Sequence, residues 1–447
     1  MNKFFESLKN AWSIKELRER IIFTLLMLLI VRVGSWIPLP GVDVSQTGGI
    51  GSGGLFGMFN TFVGGALSNA AIFSLGVMPY ISASIIIQLL GAIVPTISKM
   101  QKEGEEGRRT LNNWTRYLTV ALAFGQGIAI AFSIRSADNN GTPIVPAEVH
   151  GITFILTAAL ILTAGTIFLM WIGEQITEKG IGNGISMIIF VGIIADLPAG
   201  FISEFQMIQA GTRNLIVELI YLAALLGIIA AVVLFTQAVR KIPVRYAKRQ
   251  VGKRPVGGET SHIPISMVIA NVMPIIFAQA IMFVPQGIGS MMPDSDLGRW
   301  LSVNYGYGTW LYSLTLGLMV VFFTFFYTSV VFSPRDVAEN LRRQGGFIPN
   351  VRPGKPTEEY LDAILTRITV PGSIFLALVA ILPAFALQWG VSNAFATFYG
   401  GTSLLIVIGV ALDTLRQIES YLVMRHYDGF MKSGKLRGRT TRPVIGG

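Results

Sequence analysis

Apolar positions along this chain come in long blocks rather than in short alternation. Uncharged stretches recur, separated by short segments that hold most of the charge. An α-helix needs about 20 apolar residues to cross a bilayer, which is the length of these stretches. Val44 to Ser98 carries no charge, and neither does Ile368 to Leu412. The second run is too long for one crossing, and Gly390 with Gly400-Gly401 suggests its break. Ten spans are predicted, at 21–37, 72–95, 116–134, 152–172, 183–203, 215–239, 264–286, 310–333, 369–388 and 400–420. Asp196 interrupts the fifth. A giant soluble core would not need repeated charge-free runs of this length. The pattern therefore predicts an all-α, polytopic membrane protein.

Charge placement supports the span count independently. Of the 35 Lys and Arg residues, 31 fall in 1–20, 96–116, 172–182, 240–263, 334–369 and 413–447, which alternate spans would place on one side. Arg135, Arg213 and Arg299 fall on the other side, and Arg32 lies near the outer end of the first span. The positive-inside rule then puts both termini in the cytoplasm. Residues 1–20 read as an amphipathic helix lying in the cytoplasmic interface, with Phe4, Phe5, Leu8, Ala11 and Trp12 on one face. Five spans (21–203) precede an external hinge loop at 204–214 and five follow (215–420), ahead of a cytoplasmic tail at 421–447. Halves with an odd number of spans run in opposite directions, so two pseudo-symmetric halves follow from the count alone.

Composition narrows the chemistry. Hydrophobic residues make up 52% of the 447 and charged residues 13%, an unusual balance for a soluble protein. There is no cysteine, which excludes disulfides and thiolate metal sites. His150, His262 and His426 are far apart, so no metal cluster is expected. No cleavable signal peptide is expected, because no small-residue cleavage site follows a short apolar core. No cofactor is expected.

Three segments carry more than a span signal. Leu75 to Leu90 is apolar enough for a membrane helix, yet holds Pro79, Ser82, Ser84 and Gln88. Polar side chains at that depth should face protein or water. The loop from Gly48 to Ser68 mixes glycine with apolar residues but follows no strand, and no lysine completes a phosphate loop. Such a segment is either a packed external loop or a movable plug. Two long loops, 240–263 and 334–368, are strongly basic. The first holds Arg240, Lys241, Arg245, Lys248, Arg249, Lys253 and Arg254, and the second Arg335, Arg342, Arg343, Arg352 and Lys355. They read as topology signal and attraction to anionic lipid, or as docking sites for phosphate or acidic surfaces. Their length favours docking.

Leu75 to Leu90 closely resembles the second membrane helix of the SecY family, the protein-conducting channels of the bacterial plasma membrane. Further segments are similar to the same family: Phe59-Asn60-Thr61-Phe62-Val63-Gly64-Gly65-Ala66-Leu67-Ser68, Lys102-Glu103-Gly104-Glu105-Glu106-Gly107-Arg108-Arg109, Glu174 to Ser186, Phe347-Ile348-Pro349-Asn350-Val351-Arg352-Pro353-Gly354, and Tyr399 to Ile406. Together they cover essentially the whole chain.

The resemblance implies an hourglass channel whose waist is a pore ring of Val77, Ile81, Ile185, Ile189, Ile276 and Ile406. It implies a plug near 53–70 that includes Phe59, Asn60, Phe62, Gly64 and Gly65. A lateral gate between spans two, three, seven and eight would hold Ser82, Gln88, Gln126, Asn271 and Gln279, although Ile269-Ala270-Asn271-Val272 departs from the family pattern. Arg240, Arg245, Lys248, Arg249, Lys253, Arg254, Arg342, Arg343 and above all Arg352 would dock the SecA motor and the ribosome. SecE and SecG are the implied membrane partners, and signal peptides and unfolded proteins the implied substrates. The rival reading is a secondary solute transporter, which usually keeps acids or histidines near mid-membrane. Here Glu218 and Asp413 lie near span ends and Asp196 stands alone. An enzyme would need a facing catalytic pair, and none is evident.

Overall fold

The computed structural model describes residues 12, 14–43, 60, 62–136, 138–139, 142–146, 151–246, 249–251, 254–256, 260–269, 272–291, 295–306 and 308–432. Most of the expected N-terminal amphipathic helix, the glycine-rich stretch 44–59 and the end of the tail lie outside these residues. Trp12 is described and is exposed.

A helix overlaps each of the ten expected span positions, and the basic connections follow at their ends. The first half contains α1 (Lys15–Gly34), α2 (Met78–Ile93), α3 (Pro95–Lys102), α4 (Glu105–Ser136), a two-strand hairpin β1 (Asp138–Asn139) and β2 (Thr142–Pro143), α5 (Ile152–Lys179) and α6 (Gly184–Gln209). The second half opens with α7 (Leu215–Gln237), then β3 (Val239–Tyr246), β4 (Arg249–Val251), β5 (Arg254–Val256) and β6 (Thr260–Ser266). It continues with α8 (Met273–Met291), α9 (Asp296–Asn304), α10 (Trp310–Val331), α11 (Pro334–Arg343), β7 (Gly346–Phe347), α12 (Lys355–Gln388), α13 (Asn393–Ala396) and α14 (Gly401–Lys432). By length and composition, seven helices among the described residues can cross a membrane, or eight if the bent pair α2 and α3 is one span.

Local chemistry sets the helix edges. The second span begins at Met78 rather than 72. Gly76 sits at φ +55, outside the helical region, and Pro79 occupies the first turn, where its missing N–H costs nothing. Val94 is extended (φ −97, ψ 113) because Pro95 follows it, and that separates α2 from α3. Asn183 caps α6 by accepting the Ser186 N–H. α6 then runs unbroken past Asp196 and Pro198, so the least regular span in sequence is a continuous helix. It extends to Gln209 and leaves only 210–214 as connection between the halves.

The main departure from a purely helical chain is at the basic end. Residues read as a loop at 240–263 form a β-ribbon. β3 pairs antiparallel with β6 from Val239↔Ser266 to Arg245↔Thr260, and β7 adds Phe347 opposite Arg245. Ile242, Val244 and Ile265 face inward onto Leu341, Ile348, Leu361 and Leu365, a small core separate from the membrane bundle. The alternation is only a few residues long and sits among charges, too short to stand out beside the membrane spans.

Lipid explains the rest of the surface. α7 buries only Leu225 and Val232 within the chain and exposes Leu215, Ile216, Leu219, Ile220 and Leu234. A contiguous apolar surface of that size is untenable in water and ordinary in a bilayer. Exposed Trp36, Trp310 and Trp389 lie at the far ends of α1, α10 and α12, where an interfacial aromatic belt belongs.

Packing divides the bundle. In the first half α4 packs on α2 and α5, α5 on α6, and α1 on both α5 and α6. In the second, α10 packs on α8 and α12, and α14 on α12 and α7. The halves meet broadly where α6 contacts α13 and α14. Along the opposite edge, α2 meets the second half across a thinner seam: Tyr327 of α10 donates to Gln88, and residues of α2 and α8 line one cavity together.

Candidate functional site

Two cavities lie end to end between the halves. The larger, ≈ 410 Å³, opens toward the basic end and carries polar groups from Ser84, Gln88, Asn183, Thr236 and Asp413. The smaller, ≈ 190 Å³, lies toward the far end against Phe62, Met78, Ser82 and Gln279. Five side chains line both: Ile81 and Ile85 of α2, Ile189 of α6, Ile276 of α8 and Ile406 of α14. Four helices thus each bring isoleucine to one level and pinch the space there. A constriction with no polar group can dewet and stop ions, while its branched side chains can still part around a larger object.

Four of the six residues expected in the ring stand at this junction. Ile185, one turn before Ile189, lines only the larger cavity. Val77 is buried and lines neither cavity. Ile85 was not anticipated, although its spacing of four from Ile81 puts both on one helical face.

Beneath the ring lies the segment that begins at Asn60. The Asn60 Nδ2 donates to Ser68 Oγ at 2.6 Å, and the Ser68 N–H donates back to Asn60 Oδ1 at 3.0 Å. This closes the segment on itself, and Phe62 reaches the smaller cavity. Arg32 of α1 donates to Gly64 O at 2.9 Å. Gly64 sits at φ +65 so close to α6 that a Cβ would fall 2.6 Å from Arg32 Nη1 and 2.7 Å from Gly192 Cα. Glycine is the only residue that fits this approach. Gly65 also has positive φ, +81. Phe59 lies outside the described residues.

Among the described residues the seam has few polar contacts. Gln88 Nε2 donates to Ser84 Oγ at 3.2 Å, and the Tyr327 hydroxyl of α10 donates to Gln88 Oε1 at 3.3 Å. Phe277 stacks on Phe323 with ring centroids 5.4 Å apart. Ser82 faces the smaller cavity. Gln279 lines the same cavity, and its Oε1 accepts from Thr402 of α14 at 3.2 Å. Gln126 lines neither cavity, and its buried Oε1 has no hydrogen-bond partner. Asn271 lies outside the described residues. Tyr327 gave no sequence signal, being one tyrosine of 12.

At the basic end, Arg240, Arg245, Arg342, Arg343 and Arg352 are all exposed on the ribbon subdomain. Arg249 and Arg254 lie on the β4–β5 hairpin, while Lys248 and Lys253 fall outside the described residues. Arg352 is held by its backbone rather than its side chain. Its carbonyl accepts from Thr357 Oγ1 at 2.9 Å, and Gly354 at φ +102 turns the chain into α12. The guanidinium is therefore presented outward from a fixed loop.

The SecY family model matches residues 71–415. The chain belongs to the SecY family. The protein translocase subunit SecY of Halalkalibacterium halodurans is 44% identical over 436 residues, covering 96% of this chain and 100% of the relative. That of Thermotoga maritima is 42% identical over 443 residues, covering 97% and 100%. The fold is similar to that of a solved protein-conducting channel, with a TM-score of 0.62 at 18% identity over 94% of this chain and 95% of the other. It is also similar to Sec61 in a canine ribosome-channel complex, with a TM-score of 0.59 at 18% identity over the same shares.

One cluster in this family member was invisible in sequence. Arg213, in the connection between the halves, donates to Glu204 of α6, to Glu218 of α7 at 3.0 Å and to the Gly390 carbonyl. Glu204 is 2% exposed, and its Oε1 accepts the Ser392 N–H at 2.8 Å. The Ser203 and Ser392 hydroxyls are 3.0 Å apart, and Tyr221 donates to Trp389 O at 2.6 Å. The far end of α6 is thereby stapled to the loop between α12 and α13. The two acids share one guanidinium, and Glu204 also accepts a backbone N–H, an arrangement for structure rather than for catalysis.

Proposed function

We propose that this protein is the channel subunit of the bacterial Sec translocase. It passes unfolded secretory proteins across the plasma membrane and releases membrane proteins sideways through the α2/α4–α8/α10 seam. The observation that carries the reading is the isoleucine junction between two cavities with Phe62 beneath it. An unfolded chain needs a conduit that is greasy, deformable and tight when idle. The ring offers no ionisable group for coupling an ion to a solute, so nothing in the site favours a solute transporter. It offers no reactive group either, so the driving energy comes from partners. SecA and the ribosome dock on the basic subdomain through Arg240, Arg245, Lys248, Arg249, Lys253, Arg254, Arg342, Arg343 and Arg352. SecE and SecG complete the membrane complex. Both termini lie in the cytoplasm, in keeping with the concentration of basic residues at that end. The short connection at 210–214 joins the two halves, and the segment near 53–70 acts as plug.

Replacing Ile81 and Ile406 together by serine is expected to wet the waist. Resting ion conductance of the complex in planar bilayers should rise well above that of the native protein. Folded variant with native conductance would remove the ring from the mechanism.

The plug reading has its own test. Gly64→Ala places a Cβ against Gly192 and forces a side chain into positive φ, which costs more than about 1 kcal/mol locally. The segment should leave its seat and raise the resting leak, with the seam untouched. If Gly64→Ala vesicles hold an ion gradient as long as native ones do, the segment does not seal.

A further inference from the structure

Helix α9 has no part in the channel reading, and its surface is unlike that of its neighbours. It lies at the far end between α8 and α10. Ser295 caps it by accepting the Gly298 N–H at 3.0 Å. Gly298 is buried, and the helix packs on α8 and α10. Leu297, Trp300 and Val303 are 61%, 53% and 71% exposed. Spaced by three, they share one flank. Arg299, also exposed, points elsewhere around the helix.

The chain fixes the height of this helix. Asp296 follows Met291, the end of α8, by five positions, and Trp310, the start of α10, follows Asn304 by six. Trp310 is itself 71% exposed. α9 therefore sits where two spans leave the hydrocarbon. An apolar flank at that level can meet protein, water or lipid. Among the described residues nothing covers it, and three large apolar side chains in water would be unfavourable. We propose that α9 lies flat in the headgroup region of the outer leaflet, anchored by Leu297, Trp300 and Val303, with lipid as the occupant of its exposed flank. An interfacial helix of this kind buries its apolar face at the boundary of headgroups and acyl chains. Its short tethers to α8 and α10 hold one side of the seam at a fixed depth.

The chain has no cysteine, so a single introduced thiol can be labelled uniquely. Nitroxides are placed at Leu297→Cys, Trp300→Cys, Val303→Cys and Arg299→Cys in the full chain, reconstituted in phosphatidylethanolamine–phosphatidylglycerol vesicles. Collision with oxygen, which favours lipid, is compared with collision with a water-soluble nickel chelate. The first three labels should favour oxygen, at a depth of about 5–10 Å, and Arg299→Cys should favour nickel. In a Leu297→Asp/Trp300→Asp background the label at 303 should shift toward nickel. Preference for nickel at all four sites would place the flank in water. Exclusion of both reagents from 297, 300 and 303 would mean that a protein covers it. Either result overturns the proposal.

Discussion

Arg352→Glu is expected to cut SecA-driven import of a secretory precursor about ten- to a hundredfold, because one charge-assisted contact is worth ~1.5–3 kcal/mol. The side chain is exposed, but Thr357 and Gly354 fix the loop that presents it. Orientation is thus supplied before the partner arrives, and little further ordering is needed on binding. Arg352→Lys should be impaired in part, since an ammonium cannot reproduce two parallel hydrogen bonds to a carboxylate or phosphate. Val351 belongs to the small core of the ribbon subdomain, whereas Arg352 does not, so folding and membrane assembly should be intact. Lys435→Glu in the tail serves as the control of equal charge. The measurement is ATP-dependent import into vesicles bearing each variant at matched abundance. Equal import by Arg352→Glu and Lys435→Glu would show that only bulk positive charge counts.

Removing Arg213 should have the largest effect on stability. Its side chain is 10% exposed and Glu204's 3%, so Arg213→Ala strands a carboxylate where water cannot reach it. Breaking a buried pair in this way costs ~3–5 kcal/mol. The variant complex in detergent should lose thermal stability clearly. Glu218→Gln should cost less, because Glu218 is 17% exposed and Glu204 still pairs with Arg213. Combining Arg213→Met with Glu204→Gln and Glu218→Gln should recover part of the loss, since no buried charge is then left unpaired. If Arg213→Ala and Glu218→Gln shift the melting temperature equally, the cluster is not the staple between the halves.

The long apolar helices and the clustering of basic residues in the segments between them could be read from sequence. Each rests on local chemistry: a helix in lipid must be apolar along its own length, and its flanking charges sort by side whatever the helix packs against. Glycine at 64 and 65 was also legible as unusual, and the backbone angles there show why. The β-ribbon of 239–266 was not legible, because its short apolar alternation gains meaning only when Leu341, Ile348 and Leu361 arrive from a hundred residues away to cover it. Nor was the choice among isoleucines. In lipid, an outward face and an inward face look alike, so Ile85 could join Ile81 at the waist, and Val77 be buried away from it, only once four helices had been packed. The Arg213 staple is the clearest case. Glu204, Arg213, Glu218 and Ser392 are ordinary polar residues near span ends in sequence, and only the approach of the α12–α13 loop to the end of α6 turns them into one buried cluster. Sequence alone settled what must sit in the membrane, and tertiary packing decided which of those residues face one another across the halves.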